Sequence, residues 1–98
     1  MSEIISVRDN PDEGRFEVHV DGVLAGFTEY TEATVDGVLV RTFPHTEVDP
    51  EFGGRGLSKI LIGQALDASR AAKAMVKPVC PAVAGFIEKN PAYADLVA

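Results

Sequence analysis

Three groups of residues have the types and spacing for chemistry. Cys80 is the single cysteine of the chain and lies in Pro78-Val79-Cys80-Pro81. A cysteine just before a proline that starts a helix occupies the N-cap, where the helix dipole favours the nucleophilic thiolate. The same position also suits a small buried residue at a tight junction, so both readings stand. His45 and Glu47 form the second group. They are two residues apart in a β-favouring run and therefore share one side of a strand. The imidazole accepts a proton near neutral pH, and the carboxylate would orient it as a base. The alternative is two solvated residues on an edge strand.

The third group is the loop Glu51-Phe52-Gly53-Gly54-Arg55-Gly56-Leu57-Ser58. It joins a strand to a helix. Backbone N–H groups there point outward at the positive end of the helix dipole, which suits a phosphate or pyrophosphate. Glycine lets a ligand come close, and Arg55 and Lys59 add positive charge. The spacing is neither that of the nucleotide-hydrolase phosphate loop nor the dinucleotide GxGxxG fingerprint. The bland reading is a tight strand-to-helix turn. His19 has no chemical neighbours in the sequence, and one cysteine with two separated histidines gives no metal-ligand spacing, so no metal is expected.

These residues need elements to hold them. Ile4–Arg8 reads as a short strand, and Asn10-Pro11-Asp12-Glu13-Gly14 as a turn. Arg15–Val20 alternates with period two, Asp21-Gly22 marks a type I′ turn, and Val23–Tyr30 is the partner strand. A second Asp-Gly pair, Asp36-Gly37, leads into the strand Val38–Val48. Leu57–Lys73 has helical periodicity, with Leu57, Ile60, Leu61, Ala65, Ala68 and Ala72 on one face. Met75–Val79 is a strand candidate and Ala82–Lys89 a second helix, ended by Asn90-Pro91. The fold class is therefore α/β, α+β-like. An N-terminal antiparallel meander precedes a β-α-β unit with a parallel crossover and a C-terminal helix, all on one mixed sheet.

Size and composition bound the answer. With 98 residues, 1–98 makes one domain with a thin core. Hydrophobic residues reach 46%, which argues against disorder. No apolar run is long enough for a bilayer, and Met1-Ser2-Glu3-Ile4 lacks a leader pattern, so the expectation is a cytoplasmic protein without a membrane partner. Net charge is −6, which disfavours nucleic acid. The charge is uneven: residues 1–50 hold three Lys/Arg and eleven Asp/Glu, residues 51–98 six and four. An anionic ligand belongs with the second half. The acidic first half either draws a cationic substrate or only keeps the protein soluble.

Four segments in order resemble the GNAT acetyltransferase superfamily. They are Phe43-Pro44-His45-Thr46-Glu47-Val48, Gly54-Arg55-Gly56-Leu57-Ser58, Pro78-Val79-Cys80-Pro81 and Asn90-Pro91-Ala92-Tyr93-Ala94-Asp95-Leu96. Within it they are similar to the short, single-domain Yjdj-type subfamily. The resemblance is strong from about residue 38 onward and rests on strand pattern before that. It implies acetyl-CoA as co-substrate, an amine acceptor and a monomer or weak homodimer. It also implies that the strand ending at Val48 binds the pantetheine arm and that Gly53, Gly54, Arg55, Gly56, Leu57, Ser58 and Lys59 hold the pyrophosphate. The superfamily loop pattern, Arg/Gln-x-x-Gly-x-Gly/Ala, falls on Gly53, Gly56 and Ser58. Gly56 matches; Gly53 and Ser58 depart, which removes no backbone donor. Many members place a tyrosine in the helix after the last core strand to protonate the leaving thiolate. That position here is Phe86, with Tyr93 as the candidate substitute. Transfer is then either direct, with His45 or Glu47 as base, or through an acetylated Cys80. The rival functions are a non-catalytic CoA- or acyl-CoA-binding module and an interaction scaffold.

Overall fold

A computed structural model describes residues 3–98. Five strands form one sheet in the order β1-β2-β3-β4-β5, so each strand lies beside its sequence neighbour. They are β1 (Ile5–Asn10), β2 (Arg15–Val20), β3 (Val23–Val35), β4 (Val38–Val48) and β5 (Met75–Lys77). The first three pairings are antiparallel and β4–β5 is parallel. Helix α1 (Leu57–Ala71) makes the crossover, and α2 (Pro81–Lys89) follows β5. Short 3-10 turns occupy Pro50–Phe52 and Pro91–Leu96. The sheet is the mixed one expected.

Both Asp-Gly pairs make the expected hairpin turns. Asp21 and Gly22 have φ of 50° and 83°, and Asp36 and Gly37 have 51° and 80°. Positive φ at both central residues gives the type I′ twist that suits flanking strands. Several bounds differ from the sequence expectation. β3 runs on to Val35, because the second hairpin stays paired along its whole length, down to Val35 opposite Val38. β5 stops at Lys77, and α1 ends at Ala71. The buried side of α1 is Leu57, Leu61, Ile62, Ala65, Leu66 and Ser69, whereas Ala72 is exposed. The stripe is turned toward Ile62 and Leu66, which meet Phe43 of β4 and Val83 of α2, while the expected Ile60 and Ala68 lie half-buried at its margin.

Both helices pack on one face of the sheet. Phe16, Val18, Val20, Tyr30 and Phe43 meet α1 there, and Val83 and Ile87 of α2 complete the core. Leu61 is fully buried, which is worth about 2 kcal/mol of transfer free energy. A buried cation belongs to this layer. Arg41 donates from Nε to Glu32 (2.8 Å) and from Nη1 to Ser69 of α1 (3.1 Å), and lies over the rings of Phe16 and Tyr30. The Tyr30 hydroxyl donates to Asp9 (2.7 Å), tying β3 to β1; burial, then that carboxylate, push its pKa up to about 12.

The other face is polar and carries no helix among the described residues. Arg8, Glu17, Phe27 and Glu47 line up across four strands, with Arg15, Glu29 and His45 beside them. Glu17 is buried among these side chains. Burial raises its pKa, but hydrogen bonds from Arg15 (2.8 Å) and Asn10 (3.1 Å) outweigh it, so its carboxyl sits below the usual range.

Register breaks at one place that matters for the site. Glu29 pairs with His45, but Thr31 pairs with Thr42. Tyr30 therefore faces two residues, Phe43 and Pro44, in a β-bulge on β4. Pro44 has no N–H to pair, so a bulge accommodates it.

Where β3 and β4 run on past the bulge they are unusually close. A Cβ on Gly26 would sit 2.6 Å from the Glu47 carbonyl oxygen and 3.1 Å from Val48 Cα. Gly26→Ala must push backbone from backbone, and a loss of about 1–3 kcal/mol is expected in urea unfolding. Unchanged stability would show that the two strands separate freely there.

Candidate active site

The bulge changes which side chains face the helices. Before it, Arg41 and Phe43 point to α1; after it, Thr46 does, while His45 and Glu47 point to the helix-free face. His45 Nε2 lies 3.6 Å from Glu47 Oε1, and the imidazole meets the Phe27 ring edge-on. Both side chains are more than half exposed, at 51% and 63%. The pair therefore forms, but on the solvent side of β4.

Beyond the bulge β4 also loses its neighbour. β5 pairs only with Val40, Arg41 and Thr42. The chain after β5 then turns, and the Cys80 N–H donates to the Phe43 carbonyl (2.8 Å). From Pro44 to Val48 the outer edge of β4 has no strand partner.

Cys80 caps α2, with Pro81 as the first helical residue. Its side chain is buried, 5% exposed, and Sγ lies 3.5 Å from the Thr46 hydroxyl. That hydroxyl is 2.8 Å from the hydroxyl of Thr28, which is fully buried. Burial pushes the thiol pKa up. The Thr46 hydroxyl and the N–H groups of Val83, Ala82 and Thr46 together push it further down, so the net shift is below the ordinary value. Neither α2 N–H makes a full capping bond to the sulfur, yet both stabilise negative charge on it.

The glycine loop reaches α1 through two left-handed residues, Gly54 (φ 77°) and Gly56 (φ 71°). Gly53 is extended, with its N–H bonded to Pro50. Gly56 is the N-cap and offers no side-chain acceptor, so among the described residues the first N–H groups of α1 have no side-chain cap. Leu57 turns into the core at 2% exposure. Arg55 turns back over the Phe52 ring and pairs with Glu3, so its charge is spent on the N-terminal segment.

A groove of about 560 Å³ opens between the start of α1 and one side of α2. Ser58, Lys59 and Ile62 form one wall; Pro81, Ala82, Gly85, Phe86, Lys89 and Asn90 form the other. Cys80 directly precedes the Pro81 wall. Lys89 and Asn90 were not singled out from sequence. Their only signal was a basic residue in the last turn of a helix, opposite the glycine loop. Tyr93 lies elsewhere: its hydroxyl donates to Asp67 (2.8 Å), and its ring packs on Phe86. Asp67 is nine residues along α1 from Ser58, about 13 Å by helical rise. Among the described residues no three His, Cys, Asp or Glu side chains converge as a metal site.

This arrangement has known counterparts. Residues 15–96 match the family model described as GCN5-related N-acetyl-transferase. The chain belongs to this family. Two solved acetyltransferase structures share the fold. One is a ribosomal-protein-alanine N-acetyltransferase from Brucella melitensis biovar Abortus 2308, 22% identical, with a TM-score of 0.56 over 86% of this chain and 60% of that one. The other is an acetyltransferase of Trypanosoma brucei, 21% identical, with a TM-score of 0.55 over 81% of this chain and 62% of that one. The present chain thus spans about three-fifths of the length of these neighbours. No curated protein sequence is matched by it.

The depressed Cys80 pKa has a measurable sign. In the native protein the thiolate persists to lower pH than in the unfolded chain. The pH midpoint of iodoacetamide alkylation is therefore expected below that of the same protein in urea. A native midpoint at or above the unfolded one would make Cys80 a packing residue.

Proposed function

We propose that this protein is an acetyl-CoA-dependent N-acetyltransferase that carries the acetyl group on Cys80. The supporting observation is that one sulfur lies beside Thr46 on the unpaired edge of β4 and at the N-cap of α2, one residue before the groove wall begins at Pro81. In this reading, the N–H groups at the start of α1 bind the pyrophosphate, with Gly54, Gly56 and Ser58 supplying backbone donors, Gly53 shaping the turn through its own N–H bond to Pro50, and Lys59 and Lys89 balancing the charge. The free edge of β4, from Pro44 to Val48, pairs with the amide groups of the pantetheine arm. Leu57 serves by fixing the helix start in the core, and Arg55 by fixing the loop to Glu3.

The chemistry follows from the groups in place. The Cys80 thiolate attacks the thioester carbonyl, a C–S bond forms, and the CoA thiolate leaves. A neutral amine then attacks the acetyl-cysteine and gives up its proton, and the Cys80 thiolate departs. Phe86 has no proton to give a leaving thiolate, and Tyr93 is held at Asp67. His45 and Glu47 project from the face of β4 opposite the sulfur, so in this route the proton of the attacking amine passes to solvent. The same pair supports direct transfer as a second reading. The short Pro78–Pro81 motif favours the single-domain Yjdj-type group. The Brucella neighbour's name makes a protein amine one acceptor class. A soluble, cytoplasmic monomer or weak homodimer completes the proposal; no helix among the described residues is long and apolar enough to cross a membrane.

Two measurements test this. CoA is expected to raise the melting temperature, by about 2.7 kcal/mol of stability at a hundredfold excess over Kd. Lys89→Ala should weaken CoA binding by roughly two- to fivefold, as loss of one exposed charge. No thermal shift at millimolar CoA would remove both the enzyme and the binding-module readings. Intact-mass spectrometry after brief exposure to acetyl-CoA should show one acetyl group, absent in Cys80→Ser and lost on adding an amine. Full turnover in Cys80→Ser would assign the reaction to direct transfer.

A further inference from the structure

The sulfur of Cys80 ends a short line of polar atoms that runs into the core. Sγ is 3.5 Å from Thr46 Oγ1, which is 2.8 Å from Thr28 Oγ1. Thr28 is 0% exposed, and it stands in β3 opposite Thr46 in β4. Its surroundings beyond the hydroxyl are apolar: Phe43, Ile62, Ala65, Leu66 and Val83. Neither hydroxyl makes another hydrogen bond among the described residues.

Counting protons along this line decides its preferred state. Three heavy atoms enclose two gaps, and each gap holds one hydrogen. With a thiol there are three hydrogens, one on sulfur and one on each threonine, so one of the three has no acceptor within the line. With a thiolate there are two hydrogens for two gaps. Thr28 donates to Thr46, Thr46 donates to sulfur, and every group is satisfied. An unpaired buried donor is costly, and a hydrogen bond to an ionised acceptor is stronger than a neutral one. Donation from Thr28 also polarises the Thr46 O–H and strengthens its bond to sulfur.

We infer that Thr28 and Thr46 are positioning residues that act as a donor chain, fixing the Cys80 sulfur beside β4 and holding it as the thiolate. The inference deepens the reading of Cys80 as the acetyl carrier and rests on it for its functional meaning. The proton released when Cys80 ionises goes to solvent, and neither threonine changes its own protonation. When the acetyl group occupies sulfur, the anion is gone and Thr46 loses its acceptor. When the amine attacks, the departing thiolate regains it, so the chain favours the second half of the reaction.

The sulfur has no other side-chain donor. The remaining groups that lower its pKa are the N–H groups of Val83, Ala82 and Thr46. Titratable side chains on the surrounding elements include Glu29 of β3, His45 and Glu47 of β4, Lys59 of α1, Lys77 of β5 and Lys89 of α2. None of them hydrogen-bonds to the sulfur.

The test is the pH midpoint of Cys80 thiolate formation in the whole chain without acetyl-CoA, read by ultraviolet thiolate absorbance and by alkylation. Thr46→Val should raise the midpoint by about one unit, and Thr46→Ser should restore most of the shift. Thr28→Val should raise it by less, and should add nothing in the Thr46→Val background, since it acts only through Thr46. Thr46 is partly exposed, so Thr46→Val is expected to fold, and urea unfolding of each variant checks this. An unchanged midpoint in folded Thr46→Val would overturn the inference. So would an equal shift from Thr28→Val in both backgrounds. Because the titration uses no acetyl-CoA, it stands apart from the mass test: absence of acetyl-Cys80 with the expected midpoints would remove the carrier role and keep the donor chain.

Discussion

The extra residue of β4 opposite Tyr30 is the constraint from which the site follows. Without a bulge, strand alternation would put Phe43, His45 and Glu47 on one face and Thr46 on the other. With it, Phe43 and Thr46 both face the helices, and Thr46 meets Cys80. Pairing with β5 ends just before it, at Thr42, and the five residues Pro44 to Val48 keep a free edge. One local irregularity thus gathers the sulfur and its hydroxyl partner beside a row of unpaired backbone groups. Pro44 gives the position a physical reason, since a proline cannot serve a regular ladder.

The approach to α1 is a matter of backbone more than of side chains. Gly54 and Gly56 take left-handed angles to deliver the chain to the helix, and its start has no side-chain cap among the described residues. Gly53 gives its own N–H to Pro50 and so closes the turn before them. Side-chain charge enters from elsewhere. Arg55 is turned toward Glu3, and the lysines at the groove are Lys59 and Lys89, about 30 residues apart in sequence but on facing walls.

Legibility in the sequence followed the range of the signal. The two Asp-Gly turns, the alternation of Arg15–Val20, the periodicity of α1 and the proline at the start of α2 are local, and each names its own element. The family resemblance carried the order of the last four segments. The bulge was not legible, because Phe43-Pro44 reads as ordinary strand and the mismatch exists only against β3. His45 and Glu47 were readable as a pair, but their face depends on that mismatch. Thr28 and Thr46 lie 18 residues apart, and neither type stands out alone. Lys89 joins the groove only when α2 folds against α1. The capture of Tyr93 by Asp67 and of Arg55 by Glu3 likewise depends on contacts that span the chain.

The simple strand order has a kinetic meaning. Each strand joins the one made just before it, so every antiparallel closure spans a short loop and costs little entropy. A chain emerging from the ribosome completes β1 to β4 before α1 exists. During that interval Phe16, Val18, Val20 and Phe43 face water on a bare sheet, and the thin core appears only when α1 docks. Until that docking the apolar face has no cover, and an uncovered four-stranded meander is the species in which aggregation would begin.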